Sequence, residues 1–138
     1  MIQELSINDK NNYYKLGIEL NPNFMRAYNI DVVLQKEFEK IYGYYINNEL
    51  IAFIHIQIMI DEADIVNIIV DKKYRRNGIA TKLIDYVIKK YQFKALNLEV
   101  KENNPAINFY QNLGFKTLRI IPNYYSDGKD AKFMKKVI

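Results

Sequence analysis

Residues 62–91 constrain the fold more than any other stretch. The run "EADIVNIIVD" is almost unbroken in apolar residues, as in a strand covered on both faces. It stops at Asp71, and "KKYRRNG" follows, a knot of positive charge ending in glycine. From Gly78 to Tyr91 the apolar residues Ala80, Leu83, Ile84, Val87, Ile88 and Tyr91 recur at helical spacing. A buried strand thus passes through a basic turn into an amphipathic helix. That unit belongs in a mixed α/β sheet with helices packed on it.

The flanking segments agree. "NDKNNYYKLGIEL" and "NPNFMRAYNIDVVLQKEFEK" read as two helices, with Asn8 or Asp9 and Asn21-Pro22 as start signals. "IYGYYIN" and "ELIAFIHIQIMI", joined by Asn47-Asn48, read as a hairpin. In "KALNLEV", Leu96, Leu98 and Val100 share one face and Asn97 and Glu99 the other. "NPAINFYQNLGF" is a short helix with Pro105 in its first turn and Gly114 as its C-cap. "KTLRIIP" and "DAKFMKKVI" close the chain as strands. No linker, low-complexity segment or repeat is visible, so residues 1–138 are expected to form a single domain.

Composition removes several chemistries. There is no cysteine, so disulfides, thiol nucleophiles and cysteine-based zinc sites are excluded. One histidine, His55, excludes a multi-histidine metal cluster, and its apolar strand "FIHIQI" favours a structural role. No metal is expected. The N-terminal residues carry acids and no long apolar stretch, so neither a signal peptide nor a membrane span is expected. A cytoplasmic protein follows. The net charge of +4 suits an anionic ligand without requiring one.

The basic turn has a physical use. Helix N-termini leave backbone N–H groups unpaired and carry partial positive charge. Arg75, Arg76, Asn77 and Gly78 before such a terminus make an anion cradle, and Gly78 permits close backbone approach. Downstream stand "LNLEVKENNPAINFYQNLGF" and "NYYSDGKDAKFMKK". Together these motifs resemble the GNAT family of acetyl-CoA-dependent N-acetyltransferases. More narrowly, they resemble the bacterial ribosomal-protein-alanine N-acetyltransferases, over residues from about 49 to 136.

The resemblance implies the GNAT fold: a mixed central sheet of about six or seven strands, splayed in the middle and flanked by about four helices. It implies acetyl-CoA as cosubstrate. Its pyrophosphate would lie on the Arg75–Ala80 loop (Arg75, Arg76, Asn77, Gly78, Ile79, Ala80), with Thr81 in the first helical turn. The backbone of Ile68, Ile69 and Val70 would pair with the pantetheine arm. Glu99 matches the family's general base, though a salt-bridged strand acid has the same pattern. Tyr110 matches the tyrosine that protonates the departing thiolate, yet it also lies on an apolar stripe. Asn103 keeps the spacing of a cofactor-contacting asparagine; a helix N-cap fits it equally, and Asn104 competes for either role. Tyr124 and Tyr125 match paired tyrosines that shape the acceptor site, and Glu62 and Asn67 are further acceptor candidates.

The departures from the family pattern lie on the acceptor side. The Glu99–Tyr110 segment is one residue short, Ile121 or Pro122 replaces a basic residue, and Lys129 replaces an acid. The expected reaction is acetyl transfer to a protein N-terminal amine, in particular the N-terminal alanine of a small-subunit ribosomal protein. The amine attacks directly in a ternary complex, because no cysteine exists to carry the acyl group. A lysine, a polyamine or another small amine is the alternative acceptor. A basic RNA-binding module is the remote alternative, against which most tyrosines fall in apolar periodic segments; no direct nucleic-acid binding is expected. The expected oligomeric state is a monomer or weak dimer.

Overall fold

A computed structural model describes all residues from Met1 to Ile138. Its centre is a seven-stranded mixed sheet in the order β1-β2-β3-β4-β5-β7-β6. The strands are β1 (Ile2–Glu4), β2 (Glu39–Ile46), β3 (Glu49–Met59), β4 (Glu62–Val70), β5 (Ala95–Lys101), β6 (Lys116–Ile121) and β7 (Ala131–Val137). The helices are α1 (Lys10–Gly17), α2 (Phe24–Ala27), α3 (Ile30–Val33), α4 (Ile79–Tyr91) and α5 (Ala106–Asn112). No helix is long and apolar enough to cross a membrane.

The alternation of side chains builds two cores. Leu96, Leu98 and Val100 of β5 join Leu83, Ile84 and Val87 of α4 in one cluster of buried residues. Ile41, Phe53 and Ile69 join Tyr13, Phe24 and Ile30 in a second cluster. Helices α4 and α5 therefore cover one face of the sheet and α1–α3 the other, a three-layer arrangement.

β2 and β3 form the expected hairpin. Asn47 and Asn48 sit at φ 51° and 64°, the left-handed conformation that tight hairpin turns require and asparagine tolerates. One expectation fails. Residues 21–40 do not form one helix but two single-turn helices and the start of β2. Tyr28 leaves helical geometry at φ −131°, and the Asn29 side chain then accepts bonds from the Asp31 and Val32 amides, restarting the chain in a new direction. Strand β1 is a further element that three residues of "IQE" did not signal; it pairs with Tyr42–Tyr44.

The decisive feature lies in mid-sheet. β4 and β5 run parallel but pair only at Glu62↔Ala95, Ala63↔Leu96 and Asp64↔Asn97. Beyond that point they part. β4 continues along β3 as far as Ala52↔Val70, and β5 continues along β7 as far as Lys101↔Ala131. The β3–β4 register slips where His55 faces Asn67 and Ile56 faces Ile65, leaving Val66 as an extra residue. Such a bulge bends its strand and adds twist, which turns β4 away from β5. The splayed sheet implied by the resemblance is thus present.

Helix α1 is seated on α2 through Gly17. A Cβ there would lie 2.2 Å from the Phe24 ring, which is wholly buried. Gly17→Ala should therefore lower stability by about 1–3 kcal/mol through overpacking, against the ordinary helical preference for alanine. A fall in melting temperature checks this; a rise would show that the ring can give way.

Candidate active site

Three cavities follow one another through the parted sheet. The first, about 460 Å³, lies on the α4–α5 side. Ile68, Ile69, Val70 and Tyr74 form one wall, Arg75, Arg76, Gly78, Ile79, Ala80 and Thr81 its mouth, and Asn104, Ala106, Phe109 and Tyr110 the facing wall. A second, about 410 Å³, opens on the α1–α3 face between Tyr28, Asp64, Glu99, Tyr124, Tyr125 and Phe133. A third, about 360 Å³, joins them: it shares Ile68, Asn104 and Tyr110 with the first, and Tyr28, Leu98, Glu99 and Tyr125 with the second.

The mouth is built for an anion. α4 begins at Gly78, at φ 73°, and no side chain caps it. Its first backbone amides are therefore open toward the cleft, and the helix dipole adds positive potential. Nothing lies within 4 Å of the position a Gly78 Cβ would take, so the backbone is free for close approach. Asp71 caps the short turn Lys72–Tyr74 by accepting from the Lys73 amide. The two arginines differ. Arg75 donates from Nε to the Val70 carbonyl (2.9 Å) and from Nη2 to Glu19 (3.4 Å), so it fastens the turn to the end of β4. Arg76, held at φ 66°, is exposed. Asn77 stands outside the cleft wall, where its side-chain amide donates to the Tyr74 and Arg75 carbonyls and holds the turn shut.

The opposite wall comes from α5. Asn104, rather than Asn103, lines the cleft, and its Oδ1 accepts from the Ala106 amide at 2.8 Å. Asn103 is exposed and outside the lining; neither asparagine is the N-cap of α5, which is Pro105, and the Asn104 bond closes the turn just before it. Tyr110 is half-buried, with Phe115 edge-on at 5.7 Å. Burial pushes its phenol up to about 12, so the hydroxyl holds its proton at neutral pH.

Glu99 lies beyond the gap. It is exposed on β5, paired across the ladder with Phe133, and belongs to both the connecting and the second cavity. The Tyr124 phenol is pushed up to about 12, first by the neighbouring Glu99 carboxylate and then by burial. Tyr124 and Tyr125 stack edge to face at 5.0 Å. Their loop is secured by the Lys101–Asp127 ion pair and by Asp130 accepting from the Asn123 amide. Asp64 shares the cavity with Glu99, and burial raises its pKa, with the Glu99 and Glu62 charges acting in the same direction.

Of the two weaker acceptor candidates, Asn67 lines the connecting cavity. Glu62 does not reach the cavities: it binds Asn97 Nδ2 at 3.2 Å and Lys135 Nζ at 3.1 Å where β4 and β5 still pair. These bonds hold its carboxyl below the usual range. Tyr28 and Asp64 were not anticipated. Tyr28 falls in a stretch that reads as continuous helix, which carries no signal. Asp64 could have been found by the reasoning applied to Glu99, a charge set inside an apolar strand.

Residues 37–117 match the acetyltransferase (GNAT) domain, and the chain belongs to that family. It is 40% identical over 81 residues to an N-alpha-acetyltransferase of Sulfurisphaera tokodaii, covering 55% of this chain and 48% of the relative. It is 37% identical over 90 residues to the [ribosomal protein bS18]-alanine N-acetyltransferase of Escherichia coli, covering 61% of each. The aligned stretch thus spans about half to three-fifths of these curated relatives. Among solved structures, the ribosomal-protein-S18-alanine N-acetyltransferase of Escherichia coli superposes with TM-score 0.79 at 30% identity, covering 100% of this chain and 93% of that one. Ard1 of Thermoplasma volcanium gives 0.82 at 28% identity, covering 100% and 97%.

Gly78→Val tests the mouth. Its φ of 73° is strained for a β-branched residue, and its side chain would occupy the space now open above the amides. Coenzyme A affinity measured by calorimetry should fall at least about tenfold, beyond any change in melting temperature. Unchanged affinity would place the anion site elsewhere.

Proposed function

We propose that this protein transfers the acetyl group of acetyl-CoA to the α-amino group of a protein N-terminus. The passage through the sheet carries this reading: an amide-rich basic mouth at one end, a carboxylate at the other, and a tyrosine hydroxyl between them. The amides of α4 and the Arg76 guanidinium would hold the pyrophosphate. The free edge of β4 from Ile68 to Val70 would pair with the amides of the pantetheine arm, as a strand pairs with its neighbour. When bound, the cosubstrate supplies an activated thioester carbonyl. Glu99 would take the proton that the amine must lose to attack, directly or through a water. Tyr110 would return a proton to the departing thiolate, and its raised pKa keeps that proton available.

The acceptor follows from chemistry and relationship together. An α-amine, with a pKa near 8, gives up its proton far more easily than a lysine near 10.4. The N-terminal alanine of a small-subunit ribosomal protein is the specific acceptor proposed, supported by the likeness to the Escherichia coli enzyme.

The test is a set of Ala-, Ser- and Met-initiated peptides, an N-blocked lysine peptide and spermidine, incubated with acetyl-CoA and read by mass spectrometry. Ala-initiated peptides should gain one acetyl at the terminus; preference for spermidine or lysine would overturn the acceptor assignment. With an α-amine acceptor, kcat/KM should rise with pH and level off near 8. It should show no descending limb up to pH 10, because the raised Tyr110 stays protonated there. Glu99→Gln should lower kcat about a hundredfold or more and leave coenzyme A affinity unchanged. Equal loss of binding and turnover would make Glu99 a structural residue.

A further inference from the structure

The chain's one histidine, His55, adjoins two residues that line the connecting cavity, Asn67 and Tyr28. His55 on β3 has no solvent exposure, and its Nε2 is 2.8 Å from Glu39 Oε1 on β2. Glu39 is itself mostly covered and is steadied by Lys36 at 3.2 Å. Burial pulls the His55 pKa down, although the Glu39 contact opposes this. A neutral ring facing a carboxylate places its proton on Nε2 and leaves Nδ1 a lone pair. Nδ1 is buried and has no partner.

Directly across the ladder stands Asn67 of β4. Its Nδ2 is likewise buried without a partner. The two orphans are complementary, a donor and an acceptor on facing residues whose Cβ atoms are typically about 4.5–5.5 Å apart. An unmade bond of this kind costs about 1–3 kcal/mol, so a small rotation or one bridging water that joins them is strongly favoured. Asn67 also lines the connecting cavity. With Nδ2 turned inward, its carbonyl oxygen is what it offers to that space. Tyr28 meets His55 edge-on, ring centroids 5.9 Å apart at 89°, and lines both the connecting and the acceptor cavities. One buried imidazole therefore supports two walls of the reaction path.

We propose that the Glu39–His55 pair is a positioning device that holds Asn67 with its carbonyl facing the cavity, where it accepts an N–H of the incoming amine. A neutral primary amine carries two N–H bonds beside its attacking lone pair. A fixed acceptor for one of them turns the lone pair toward the thioester carbon. This rests on the acetyltransferase reading above and adds residues that orient the acceptor.

The test uses the full chain and whichever acceptor in the panel the wild type acetylates fastest. A small amine winning would sink the protein-terminus reading and leave this inference still decidable. Asn67→Ala should raise the acceptor KM about tenfold, with the acetyl-CoA KM unchanged. His55→Phe should do the same, and the double variant should be no worse than either single one. Additive effects, or an unchanged acceptor KM in a folded His55→Phe protein, would overturn it. Should His55→Phe fail to fold, Glu39→Gln with NMR decides. The wild type should show the His55 proton on Nε2, and Glu39→Gln should shift the Asn67 side-chain amide signals and raise the acceptor KM. An Asn67 signal that ignores Glu39→Gln would refute the linkage, as would a lowered melting temperature with both KM values intact.

Discussion

The structure depends on an interrupted pairing. β4 and β5 share three paired positions and then separate, although both continue as strands. A sheet interior normally satisfies every backbone amide, and an unpaired edge is a template for another extended chain. Keeping that edge open inside the molecule requires each strand to be held firmly from its outer side. β3 does this for β4, and β7 for β5 along its whole length. Asn97 binding Glu62, and Glu62 binding Lys135, pin the closed end of the fork. The bulge at Val66 then turns β4 outward.

Everything of chemical interest is arranged around that fork. On the α4 side, the left-handed Gly78 starts a helix whose amides face the cleft. On the other side, Glu99 alternates with Leu98 and Val100, so burying those two in the α4 core necessarily sends Glu99 to the opposite face. The catalytic candidate is placed by the same periodicity that packs the helix. Tyr110 reaches the fork from α5, and Phe115 limits its ring. Leu20 of the segment after α1 lines both the first and the connecting cavity, while Glu19 beside it binds Arg75. The acceptor-side layer is thereby tied to the anion-binding turn.

Legibility in the sequence follows from how local each determinant is. The βα turn is readable because a short motif contains its own cause: a buried strand, basic residues, a glycine and a helix. The alternation in "KALNLEV" is readable for the same reason, and it places Glu99 on the acceptor face. The splayed sheet itself is not readable from residue pattern, since it depends on which strands pair, and it enters only through resemblance. Residues 21–40 mislead because their helical composition persists while Asn29 redirects the backbone by capping its own successors. Tyr28 is lost with that break. Asn103 and Asn104 cannot be separated by spacing, because one residue of offset decides which carbonyl reaches the Ala106 amide. His55 reads as a satisfied structural histidine, but only one of its two nitrogens is satisfied.

The two faces of the fork carry opposite charge. Arg75 and Arg76 line the α4 mouth, with Lys72 and Lys73 just before them in sequence, whereas Glu99 and Asp64 line the second cavity. If they shared one compartment, the carboxylates would repel an anionic tail and the arginines would neutralise the base. The sheet sets the two groups on opposite sides, and the passage between is lined by Ile65, Val66, Ile68 and Leu98 together with Asn67, Asn104, Lys101 and Glu99 itself. Charges set on opposite sides make a directed potential: in the proposed reading, the anionic end of one substrate is drawn to one side, and the cationic form of the other to the opposite side. In the proposed reading the acid–base work falls to Glu99 and Tyr110, which both line that passage, and the reaction calls on neither a metal ion nor a covalent intermediate.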